Sequence, residues 1–108
     1  MVRDELLRLR ASAEAEVATL AQDLAALFAA SRDSNADDEH DPEGATVGFE
    51  RAQLTALLAA ARERAAELDD ALRRLDAGTY GACERCGRPI AADRLAARPF
   101  ARHCMACA

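Results

Sequence analysis

The 108-residue chain carries a formal net charge of −5, and all 14 of its basic residues are arginine. That balance argues against non-specific nucleic-acid binding through a basic surface, and no apolar run approaches the ~20 residues of a membrane-spanning helix. Twenty-eight residues are alanine, with three Phe, one Tyr and no Trp, so helix propensity is high and the core is thin. The opening Met1-Val2-Arg3-Asp4-Glu5 lacks the apolar segment of an export signal. The expected compartment is therefore the reducing cytoplasm, where thiols stay reduced.

From about Arg3 to Ser31 the chain reads as one long helix without Gly or Pro. Leu6, Leu9, Ala13, Val17, Leu20, Leu24 and Leu27 recur at spacings of three and four, which places one apolar stripe on one face. Asp4 and Arg8 stand at i,i+4 in the favourable order. The rhythm stops in residues 33–43, which hold six carboxylates and no basic residue. This composition predicts a polar loop. Asp41-Pro42 has the form of a helix start, with Asp as N-cap and Pro at the first helical position. Gly44 and Gly48 weaken the opening turns, so the firm helix is expected nearer Thr46 or Glu50.

The second helix is predicted to run to about Ala77 along Leu54, Leu57, Ala61, Ala65, Leu68, Leu72 and Leu75. Asp69–Arg73 and Asp70–Arg74 are i,i+4 pairs, and Gly78 stands where a C′ glycine ends a helix. Neither stripe can be buried by its own helix. The simplest solution is an antiparallel coiled-coil hairpin, with the acidic loop at its tip. The expected fold class is all-α, with a hairpin over 1–78, a tip loop at about 32–46, and a small finger over 79–108.

All four cysteines lie in that last segment, as Cys83-x-x-Cys86 and Cys104-x-x-Cys107 separated by seventeen residues. Two such pairs predict a four-thiolate zinc site. Gly87, directly after Cys86, suits a knuckle backbone that only Gly adopts cheaply. Four cysteines leave no open position for a substrate water, so the ion is expected to be structural. Disulfides and free thiols are the other readings. His103 is a spare candidate ligand, and His40 reads as a polar loop residue. A short helix is predicted at Asp93–Arg98, stopped before Pro99. Five arginines of the finger face Glu84 and Asp93, which makes this end mildly basic.

The run Gly78-Thr79-Tyr80-Gly81-Ala82-Cys83-Glu84-Arg85-Cys86-Gly87, then Pro89-Ile90, Arg94-Leu95-x-Ala97-Arg98-Pro99 and Cys104-x-x-Cys107, resembles the C4 zinc-finger module of DksA/TraR proteins. The resemblance implies regulation of transcription without DNA contact. Such proteins bind RNA polymerase, and their coiled coil enters the secondary channel with an acidic tip near the catalytic magnesium. Asp37, Asp38, Asp41 and Glu43 are the implied tip carboxylates. DksA carries an aspartate-x-x-aspartate-x-alanine tip motif. Counting back from the first cysteine sets His40, Glu43 and Ala45 against it, and aligning the Asp-Pro step sets Asp41, Gly44 and Thr46. Asp38 and Asp41 have the right mutual spacing, with Glu43 where alanine should be. For the alarmone ppGpp, Arg98 matches the basic finger position of the family. Glu67 stands where a lysine is expected, and Ala108 at a third basic position. Losing two cations should weaken binding of a polyphosphate, so the response through this site is expected to be weak or absent.

No phosphate loop, nucleophile with a base, or open metal position supports an enzyme. The tip lacks the ligand order and glycine of an EF-hand, and no feature demands a redox role for the thiols. The alternative to a polymerase regulator is a zinc-stabilised coiled-coil adaptor with another protein partner.

Overall fold

The computed structural model describes residues 2–33 and 42–108, with side chains over 2–30 and 46–108. Helix α1 spans Val2–Asp33, α2 spans Pro42–Ala77 and α3 spans Ala92–Ala97. Among the described residues the extended backbone amounts to one isolated antiparallel bridge, Ala82 with Pro89. The fold is all-α: an antiparallel helical hairpin followed by a small cysteine-bearing finger. No helix among the described residues is long and apolar enough to cross a membrane.

Alanine-rich sequence without Gly or Pro carries α1 two residues beyond the expected Ser31. Helix α2 begins at Pro42, the start that the Asp41-Pro42 step predicts, and is not delayed to Thr46 or Glu50 by its glycines. Proline at the first helical position sets φ for the helix and lacks only an N–H that would have no intrahelical partner. Gly48 lies inside α2, and a methyl group there would meet nothing within 4 Å. At the other end Gly78 takes φ 80°, with its N–H donating to the Leu75 carbonyl at 3.2 Å and the Thr79 N–H to the Arg74 carbonyl at 2.9 Å. These are the two bonds of a Schellman cap, so the glycine stop is realised as predicted.

The chain divides into two compact units. The first joins residues 1–12 to 64–108 and so packs the finger with the beginning of α1 and the end of α2. Its buried apolar side chains are Leu6, Leu68, Ala71, Leu72, Cys83, Ile90 and Ala101. Arg3 pairs with Asp76, and Arg10 with Asp69 at 3.0 Å. In both pairs the residue numbers total 79, the register of an antiparallel pair. The second unit, residues 13–63, buries Ala13, Leu58 and Ala61. Here the Arg51 guanidinium lies over the Phe28 ring at 5.4 Å, and these numbers again total 79.

All seven apolar positions expected on the inner face of α1 are buried or half-buried. On α2 one assignment is corrected. Leu57 is 45% exposed, whereas Leu58 is 6% exposed and takes the inward position. The inward residues 54, 58, 61, 65, 68, 72 and 75 alternate steps of four and three, the strict seven-residue repeat of a coiled-coil seam. Two ion pairs also differ from expectation. Arg8 bonds to Glu5, and Asp69 serves Arg10 across the hairpin while Arg73 turns to Asp70 at 3.6 Å. The Asp70–Arg74 pair forms at 3.1 Å.

Candidate metal centre

Each C-x-x-C pair closes a knuckle. In the first, the Gly87 N–H donates to the Cys83 carbonyl at 2.9 Å and the Cys83 N–H to the Arg88 carbonyl at 2.8 Å. Gly87 has φ 75°, the left-handed turn that glycine adopts without a Cβ penalty. In the second, the Cys107 N–H donates to the Cys104 carbonyl at 3.0 Å. The Glu84 N–H reaches the Arg102 carbonyl at 2.9 Å and ties the two knuckles together.

This geometry brings the four sulfurs of Cys83, Cys86, Cys104 and Cys107 within 4.8 Å of one another. The Cys86 and Cys104 sulfurs are 3.7 Å apart. A disulfide needs about 2.05 Å. A tetrahedron of thiolates at the ~2.3 Å Zn–S distance has edges of about 3.8 Å. The donor set therefore fits one zinc ion, with every coordination position filled by sulfur. His103 stays outside the cluster.

The thiols are unequal before a metal arrives. N–H donation from the Cys104 backbone leads the causes that hold Cys83 down to about 6, against burial, with help from Cys86 and Arg85. Cys104 is lowered too: burial opposes the thiolate, but hydrogen bonds from the Cys107 backbone and from neighbouring thiols outweigh it. Cys107 is pushed up to about 12 by its hydrogen bond to Cys104 and by burial. The N–H groups that favour thiolate are placed to support a metal-bound sulfur as well.

Two supports of the finger were not visible in the sequence. The Tyr80 hydroxyl donates to the Pro99 carbonyl at 2.8 Å. Arg74, only 8% exposed, donates to the carbonyls of Ala101 and Phe100 at 3.3 and 3.2 Å as well as to Asp70. The i,i+4 spacing announced Asp70. The two carbonyls lie 26 and 27 residues away in sequence and left no signal. Arg98 is exposed, with its guanidinium 5.5 Å from the centre of the Phe100 ring. It shares a polar cleft of about 260 Å³ with Glu67, Arg94, Arg102 and His103. Of the tip carboxylates, Asp37, Asp38 and Asp41 lie outside the described residues. The backbone of Glu43 is in the first turn of α2, and its side chain is likewise outside them.

A family model described as the prokaryotic dksA/traR C4-type zinc finger matches residues 78–108. The structure of transcription factor DksA2 from Pseudomonas aeruginosa superposes with a TM-score of 0.81 at 30% identity, covering 98% of this chain and 76% of that one. The chain belongs to the DksA/TraR C4 zinc-finger family. The RNA polymerase-binding transcription factor DksA of Caulobacter vibrioides is 50% identical over 40 residues, which are 37% of this chain and 28% of that protein. General stress protein 16O of Bacillus subtilis is 36% identical over 69 residues, 64% of this chain and 42% of that protein. The chain thus spans less than half the length of these curated relatives. Membership gives the cysteine cluster its ion: this is a C4 zinc finger, and its single zinc is structural.

Proposed function

We propose that this chain is a DksA-type transcription regulator that binds RNA polymerase directly, without DNA contact and without enzymatic activity of its own. The similarity to DksA2 over 98% of the chain carries the reading, because it spans the hairpin as well as the finger. In this reading the hairpin enters the secondary channel, and Asp37, Asp38, Asp41 and Glu43 bring negative charge toward the catalytic magnesium. The zinc, held by Cys83, Cys86, Cys104 and Cys107, supplies no chemistry and fixes the knuckles at the hairpin's base.

The response to ppGpp is proposed to be weak. Arg98 shares its cleft with Glu67, and a carboxylate there opposes a polyphosphate. In vitro transcription with a cognate polymerase tests both statements. Wild type should alter initiation, while a variant with Asp37, Asp38 and Asp41 changed to Asn and Glu43 to Gln should bind the enzyme without that effect. Glu67→Lys should increase the response to ppGpp. A wild-type chain that neither binds polymerase nor changes initiation would leave only the fold in common, and the adaptor reading would replace this one.

A further inference from the structure

Segment 100–102 is held from two sides. On one side the Glu84 N–H, from the first knuckle, donates to the Arg102 carbonyl, and two residues further on the chain reaches Cys104. On the other side α2 holds it, through one buried guanidinium that reaches two backbone carbonyls and through a carboxylate that takes the Arg102 side chain. Arg74 Nη2 donates to the Phe100 carbonyl and Nη1 to the Ala101 carbonyl, while Nε donates to Asp70 Oδ2. The same carboxylate oxygen accepts from Arg102 Nη2 at 2.9 Å. The backbone of Arg74 is committed as well. Its carbonyl accepts the Thr79 N–H at 2.9 Å and the Thr79 hydroxyl at 3.3 Å, the bonds that close the end of α2.

We propose that Arg74 is the link through which metal occupancy of the cysteine cluster is felt by the last two turns of α2, residues 70–77, and through which those turns raise the metal affinity in return. The physical reason is the cost of a buried cation that loses its acceptors. The ion draws Cys104 and Cys107 to Cys83 and Cys86, and so fixes the path of 100–102 immediately before the second knuckle. Without that cross-link the two carbonyls are held less firmly. Arg74 then keeps only Asp70, inside a site that excludes water from most of its surface. The helix end opens more readily to hydrate it. Linkage makes the effect reciprocal: what the metal contributes to α2 through Arg74, α2 contributes to the metal. The inference rests on the contacts between the finger and the end of α2 and is independent of any polymerase partner.

Hydrogen exchange of the full chain, with zinc and after chelation, measures the coupling directly, and competition with a chromophoric chelator measures zinc affinity. In the wild type, chelation should speed amide exchange over 70–77 by about tenfold or more, within the usual range of coupling between sites. In Arg74→Met that metal-dependent difference should shrink to about twofold or less, and zinc affinity should fall by a similar factor of about ten. A purely structural arginine would give faster exchange with and without zinc alike, and leave the difference intact. If Arg74→Met fails to fold, Arg74→Lys keeps the charge beside Asp70 but cannot bridge both carbonyls, and it should show the same loss. The proposal is overturned if exchange over 70–77 in the wild type is indifferent to zinc, or if the folded variant keeps both the wild-type difference and the wild-type affinity.

Discussion

At the scale of single residues, the neighbours Leu57 and Leu58 show how burial sorts chemically identical side chains. Leu58 is 6% exposed and Leu57 is 45% exposed. Leu58→Ala should therefore destabilise the fold by ~2–4 kcal/mol, and Leu57→Ala by less than ~0.5 kcal/mol, as measured by urea titration of helical circular dichroism. A leucine at either position satisfies a three-four rhythm. Only the facing helix decides which is inside, so sequence spacing could not choose between them. The cysteines make a second prediction. In the metal-free cluster near pH 7, Cys83 at about 6 is a thiolate, and Cys107 at about 12 keeps its proton. Zinc takes thiolates only, so binding must expel protons and affinity must rise with pH. It should fall more steeply once the pH drops below about 6, where Cys83 also binds a proton. For folding of the metal-free chain the signs are opposite. The lowered Cys83 favours the fold above the ordinary thiol value of 9, and this is lost as pH falls through about 6. The raised Cys107 favours it below 9, and this is lost as pH rises through about 12. Zinc competition at several pH values, with proton release followed in a weak buffer, checks the binding half.

At the scale of elements, a glycine inside α2 and the glycine just past its end have opposite roles. Gly48 stands inside α2, near its start, with open space where a methyl would go. Gly48→Ala should stabilise the hairpin by ~0.5–1 kcal/mol, because alanine has less backbone freedom to lose. Gly78 is held at φ 80° by the two bonds that end the helix. Gly78→Ala should cost ~1 kcal/mol, since an L side chain is strained there. Thermal unfolding of the two single variants should therefore shift in opposite directions from wild type. The second role was legible in the sequence, because a glycine after a long apolar rhythm is a stop signal. The first role was legible in part: the Asp41-Pro42 step marks the start at Pro42, whereas the later firm helix that Gly44 and Gly48 suggest is not found. Thirty-six residues of cooperative helix, packed along a seam, outweigh two weak positions near one end.

At the scale of the whole molecule, the core is small. Leu6 and Leu68 are the largest of its fully buried side chains among the described residues. The first unit adds the cluster of four cysteines, and a zinc cross-link there closes chain that apolar burial alone would hold weakly. Zinc binding that contributes ~10–16 kcal/mol to a structural site has a large share in so thin a fold. Chelation should therefore lower the unfolding midpoint by ~10 °C or more. A change smaller than ~2 °C in a scan with and without chelator would show that the helices stand without the ion.

Whatever depends on local spacing was legible from the residues alone. Apolar residues at steps of three and four gave two long helices. A glycine marked the end of the second, and two C-x-x-C pairs at a fixed separation gave the ligand set for zinc. The helices, the stop and each C-x-x-C knuckle are written within a few residues, where backbone geometry decides the outcome, while the two knuckles, seventeen residues apart, meet in the fold. Tertiary structure decided whatever depends on groups arriving from elsewhere in the chain. It turned Leu58 inward in place of Leu57 and sent Asp69 across to Arg10. It also buried Arg74 against the carbonyls of Phe100 and Ala101. Burial and hydrogen bonding are properties of pairs, and the second member of each such pair lies beyond the reach of any local pattern.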